Sequence, residues 1–107
     1  MSNLVKELNK SNFSEVINKN KFVLVDIYTT WCGPCKMMMP VLEQLNEHYS
    51  DSVIISKLEA DSNMDISNQL NIKSVPTLVL FRDGKEIERQ LGAKNKTELI
   101  NWISSHQ

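Results

Sequence analysis

The chain of 107 residues holds only two cysteines, Cys32 and Cys35, and they bracket a glycine and a proline in the stretch WCGPCK. Attack on a disulfide requires a thiolate, so the first question is whether the surroundings of this pair favour sulfur anions. Residues 21–28, which include FVLVDIY, read as a strand that is apolar on both alternating faces. From Pro34 to about residue 49, Met38, Val41, Leu42, Leu45 and Tyr49 recur at helical spacing. The cysteines therefore fall at the N-terminal edge of a helix, where unpaired amides and the macrodipole favour negative charge. Cys32, outside the first turn, is the expected nucleophile. Cys35, one turn further, reaches back and can resolve a mixed disulfide between Cys32 and a partner. Gly33 leaves the backbone open to an approaching chain, and Pro34 suits a first helical turn.

Other uses of the pair are less well supplied. A structural zinc site needs four ligands, and beyond the thiols the histidines are His48, on a polar helix face, and His106, near the end of the chain. No metal is expected. A static disulfide between residues 32 and 35 would close too small a loop to constrain the chain.

The remaining segments must hold this dithiol in place. Asn12, with Glu15 three positions on, reads as a capping box opening a short helix. Residues 53–58 form a second buried-looking strand, and residues 65–70 a short helix. Residues 77–82 and 85–91 flank Asp83-Gly84, a dipeptide suited to a tight hairpin. Asn95 with Glu98 can cap a last helix carrying Leu99, Ile100, Trp102 and Ile103. Pro40 removes an amide inside the long helix and should bend it. Helix and strand alternate, then a hairpin and a closing helix follow, which is an α/β domain with a mixed sheet.

With 41% apolar residues the chain suits one domain spanning 1–107. Twelve basic residues nearly balance 13 acidic ones, so nothing global draws nucleic acid or an anionic membrane. The start, MSNLVKELNK, lacks the basic and apolar regions of an export signal, and an uncut cytoplasmic monomer is the simplest expectation.

Taken together, VDIYTTWCGPCK, Pro40, Lys57, SVPT at 74–77 and LGA at 91–93 resemble the thioredoxin family over nearly the whole chain. The resemblance implies a central five-stranded mixed sheet flanked by four helices, and a Cys32–Cys35 dithiol/disulfide that reduces disulfides in client proteins. It implies no bound cofactor, and recharging by thioredoxin reductase, a flavoprotein using NADPH. Asp26, which by itself reads as a structural acid in a strand, matches a buried aspartate behind the second cysteine. Burial should raise its pKa and let it exchange a proton with Cys35. Lys57 would lie near Asp26 and modulate its charge. Pro76 matches a cis-proline opposite the cysteines, so that the backbone of Val75 can pair with an extended client segment. Trp31, Gly33, Pro34, Val75, Pro76, Gly92 and Ala93 would form a mostly apolar landing surface.

Four positions depart from the family pattern. Met39 and Thr29 stand where small residues are common, Ala60 where a larger aliphatic is common, and Leu70 in place of a common aromatic. Met39 should turn outward or displace neighbours, Ala60 should flatten the docking rim, and the Thr29 hydroxyl needs a partner if buried. Two other functions stay open: a binding module using the fold as a scaffold, and an oxidase or isomerase, although such enzymes usually carry histidine between the cysteines.

Overall fold

The computed structural model describes residues 5–107; Met1–Leu4, part of the stretch inspected for an export signal, lie outside the described residues. The elements are β1 (Lys6–Leu8), α1 (Phe13–Lys19), β2 (Phe22–Tyr28), α2 (Gly33–Tyr49), β3 (Ile54–Glu59), α3 (Met64–Gln69), β4 (Thr77–Arg82), β5 (Lys85–Leu91) and α4 (Lys96–Ser104). The strands form one sheet in the order β1-β3-β2-β4-β5. β1 and β2 run parallel to β3, while β4 is antiparallel to both β2 and β5. This is the five-stranded mixed sheet with four helices that the family resemblance implies.

β2 lies at the centre because its run is apolar on both faces, with Asp26 the one polar side chain before Tyr28. Its residues 22–27 are all buried. Phe22 and Leu24 join a core with Met38, Leu42 and Leu45 of α2 and Leu99 and Ile103 of α4. Val23, Val25 and Ile27 point the other way, into a core with Val16 and Ile17 of α1 and Ile66 of α3. The two-residue strand period thus splits one apolar run between two helical layers. Each fully buried leucine or isoleucine contributes about 1.5–3 kcal/mol of transfer free energy. The edge strands β1 and β5 are charge-rich, KEL and KEIERQL, which discourages pairing with other chains.

Several local expectations hold. Asp83 and Gly84 both have positive φ, 53° and 82°, the conformation required by a tight two-residue hairpin. Asn95 forms the complete capping box with Glu98. α2 forms along the predicted helical stripe, with Pro40 inside it. Others need correction. At Asn12 the capping box does not form: its side chain accepts the Asn9 amide and donates to the Glu7 carbonyl, knitting the turn before α1 instead. Trp102 is only half-buried, packed at the edge of the α2 core with its indole N–H donated to Glu88. β1 is an element that the residue pattern did not reveal. No helix among the described residues is long and apolar enough to cross a membrane.

Candidate redox site

The site is built where β2 ends and α2 begins. Cys32 is the N-cap of α2, and its sulfur accepts the amide of Cys35 at 3.2 Å. Pro34 occupies the first turn, which also holds no acidic residue. The amides of the helix end therefore face the Cys32 sulfur without a competing carboxylate, an arrangement that favours negative charge there. The two cysteines are joined as a disulfide, with Cα atoms 5.2 Å apart. Cys32 is the more accessible, at 6% exposed against 1% for Cys35. Both cysteines are buried, and the deeper burial of Cys35 fits its position one turn into the helix.

Across from the pair, the Val75–Pro76 peptide bond is cis, and the Val75 carbonyl oxygen lies 3.9 Å from the Cys32 sulfur. Gly92, at φ 85°, donates its amide to the Pro76 carbonyl at 2.9 Å and so ties the LGA turn to the SVPT turn. A Cβ built on Gly33 would meet nothing within 4 Å, so the space above it is open. Pro34 and Ala93 are exposed, Val75 and Gly92 half-buried, and Pro76 buried. Trp31 is 71% exposed and is held by its indole N–H donating to Asp61 at 2.9 Å. Of the sequence-derived landing residues, Val75 lies against the Cys32 sulfur, and Gly92 is tied to Pro76 beside it.

Ala60 lies on this side of the molecule. The small side chain is buried at the edge of a groove of about 430 Å³ that Trp31, Met64, Ile72 and Val75 also line. Met64, 53% exposed, supplies apolar surface beside it that sequence reasoning missed. Its place on a short polar helix gave no periodic signal.

In β2, the strand that leads into the disulfide, Asp26 is fully buried, and neither carboxylate oxygen has a hydrogen-bond partner. Strand alternation puts it on the α2 face, two residues after Leu24. Burial pushes its pKa up to about 7, with the charge of Lys57 acting in the opposite direction. Thr29 is also buried with an unpartnered hydroxyl, so the partner it was expected to need is missing. Beside Cys35 lies a cavity of about 70 Å³, lined also by Tyr28, Thr29, Thr30, Lys36 and Met39.

Lys57 is the register partner of Asp26, but its contacts lie elsewhere. Its ammonium is 3.8 Å from Glu7 Oε1 of β1 and 3.8 Å from the Met39 sulfur. Met39 is partly buried against the α2 core and fills the space beside this lysine, where its extra length could be accommodated. Tyr28 donates its hydroxyl to Glu7 at 3.0 Å, and burial, followed by the Glu7 charge, raises the Tyr28 pKa.

A cysteine pair at a helix N-terminus opposite a cis-proline, with a buried acid in the preceding strand, is a specific constellation, and comparison with known proteins decides its family. The thioredoxin family model matches residues 4–105. The chain belongs to the thioredoxin family. Thioredoxin from Chlamydia trachomatis is 44% identical over 104 residues, 97% of this chain and 100% of that protein. The bifunctional thioredoxin reductase/thioredoxin of Mycobacterium leprae is 40% identical over 94 residues, 88% of this chain and 20% of that protein. In oxidised mitochondrial thioredoxin 3 from Saccharomyces cerevisiae the same fold superposes with a TM-score of 0.84 at 38% identity, covering 94% of both chains. The protein is a thiol–disulfide oxidoreductase, with the protein-disulfide reductase activity general to the family.

Proposed function

We propose that Cys32 is the attacking nucleophile, Cys35 the resolving thiol, and Asp26 the group that takes and returns the Cys35 proton. In the reduced protein the Cys32 thiolate attacks one sulfur of a client disulfide, forming a mixed disulfide and releasing the other client sulfur as a thiolate. Asp26 removes the Cys35 proton, directly or through one water, and the Cys35 thiolate attacks the Cys32 sulfur. The client leaves with both sulfurs reduced, and the Cys32–Cys35 disulfide retains the oxidation that the client lost. Asp26 suits this task because a carboxyl titrating near 7 exchanges protons at neutral pH. Lys57 tunes its charge.

Trp31, Gly33, Pro34, Val75, Pro76, Gly92 and Ala93 receive the client. The backbone of Val75 pairs with an extended segment while the exposed indole and the open space above Gly33 accept its side chains. Main-chain pairing tolerates many sequences, so the clients are diverse disulfide proteins. Two electrons return from thioredoxin reductase, a flavoprotein using NADPH; a relative that carries both activities in one chain supports this pairing. The chain works as one domain over 1–107, as a cytoplasmic monomer.

The observation that carries the reading is the place of the Cys32 sulfur at the N-cap of α2, where it accepts the Cys35 amide and is bonded to the cysteine one turn further in. Insulin reduction tests it. Cys32→Ser should abolish turnover, and Cys35→Ser should stall as a covalent mixed disulfide visible by mass. Trapping through Cys35 in the Cys32→Ser variant would reverse the assigned roles, and client binding undiminished by loss of both thiols would point to a scaffold.

A further inference from the structure

Three strands place Glu7, Lys57 and Asp26 side by side: Glu7 is the register partner of Lys57 across β1–β3, and Lys57 that of Asp26 across β3–β2. All three sit at equivalent positions of neighbouring strands, so their side chains leave the same face of the sheet, about 4.8 Å apart from strand to strand. One cation therefore stands between two acids, and its position decides which acid it neutralises. The structure records a choice. Lys57 pairs with Glu7 at 3.8 Å, while both oxygens of Asp26 have no hydrogen-bond partner. Two further contacts bias the lysine outward. The Met39 sulfur lies 3.8 Å from the ammonium, and the Tyr28 ring centroid lies 5.9 Å from it. Tyr28 in turn fixes Glu7 by donating its hydroxyl to both carboxylate oxygens, at 3.0 and 3.1 Å. The cleft that holds this cluster, about 240 Å³, opens between β1, β3 and α2.

We propose that Glu7 is a positioning residue for Asp26: anchored by Tyr28, it holds the Lys57 ammonium at the β1 edge and so keeps that cation from pairing with the buried carboxylate. This deepens the proton-transfer role proposed for Asp26. Were Lys57 to swing inward, the buried anion would gain a counter-charge and hold its proton less tightly. Glu7 opposes that in two ways, by anchoring the cation and by adding negative charge of its own, and both have the same sign. The other acids near the cluster are Glu43 of α2, which lines the cleft, and Glu59 of β3, whose charge acts on Tyr28. Neither is changed in the comparison below. Leu78, the next residue in the row on β4, is apolar and buried, so no charge approaches Asp26 from that side of the register.

The test is the titration of the Asp26 side-chain carboxyl by carbon NMR in the oxidised protein, where the cysteines do not titrate, for the wild type, Glu7→Gln, Lys57→Met and the double variant. Glu7 is exposed on an edge strand, so the substitution leaves the core intact. Glu7→Gln should lower the Asp26 midpoint by about 0.5–1 unit, the modest size reflecting a partly exposed pair. Lys57→Met should raise it, and Glu7→Gln added to Lys57→Met should shift it much less than in the wild type. In the reduced protein, the acid limb of the client-release rate should move to lower pH in Glu7→Gln by the same amount. An unchanged or raised midpoint in Glu7→Gln overturns the proposal, as does a shift equally large without Lys57. The titration reads the placement of Lys57 whether or not Asp26 relays protons; an Asp26→Asn variant with undiminished turnover would instead sink the relay.

Discussion

Two sets of buried polar side chains in this sheet are treated in opposite ways. Ser56 and Thr77, both fully buried, each donate a hydroxyl to a carbonyl at 2.7 Å, to Leu24 and Ser74 respectively. Asp26 and Thr29, at the end of β2 nearest the disulfide, are equally buried and have no partner. A buried polar group without a partner costs roughly 1–3 kcal/mol, and an ionised one more. At Ser56 and Thr77 the fold satisfies its buried hydroxyls. At Asp26 it leaves a carboxyl in apolar surroundings, and the consequence is an affinity for protons that an ordinary aspartate lacks.

The largest way to break this contrast is to remove the charge. Asp26 takes up a proton more readily when folded, at about 7, than at its ordinary value of 3.8. Between those values the native state binds more protons than the unfolded chain. Its contribution to stability is therefore fully present below about 4, is lost as pH rises towards 7, and stays lost above. At roughly 1.4 kcal/mol per unit, Asp26→Asn should stabilise the protein at pH 8 by up to about 4 kcal/mol and by little at pH 4, as measured by denaturant unfolding at both values. The same variant should slow client release. A smaller effect of opposite sign is expected at Ser56→Ala, which leaves the Leu24 carbonyl without that donor and should destabilise by about 1–2 kcal/mol at every pH. Thr29→Ala should be the mildest, between neutral and about 1 kcal/mol stabilising, since no hydrogen bond is lost with the hydroxyl. A cost at Thr29 equal to that at Ser56 would show that its hydroxyl is satisfied, and would erase the contrast at that position.

The parts legible in the sequence are those where one local rule governs. β2 is apolar on both faces and lies at the centre of the sheet; α2 follows its helical stripe; Asp83-Gly84 turns the hairpin; Asn95 and Glu98 cap α4. β1 was not legible because three residues with one buried side chain, Leu8, carry too short an alternation to stand out. Asn12 and Glu15 have the spacing of a capping box, but the Asn12 side chain is engaged by the preceding turn. At the site, the cysteine chemistry follows from two residues and a helix end. Asp26 needed the family resemblance, because its burial depends on helices far away in sequence. The contact of Lys57 with Glu7 could not be read at all, since it depends on which of two flanking strands supplies the nearer acid. Asp61, which anchors Trp31, is hidden for the same reason.

The contrast rests on Asp26 keeping its proton to near neutrality, and carbon NMR titration of that side chain in the oxidised wild-type protein reads it without kinetics. A midpoint near 7 is predicted. A midpoint near the ordinary value of 3.8 would mean that the carboxylate is solvated or paired, and the account of the site as a deliberately unsatisfied acid would be wrong.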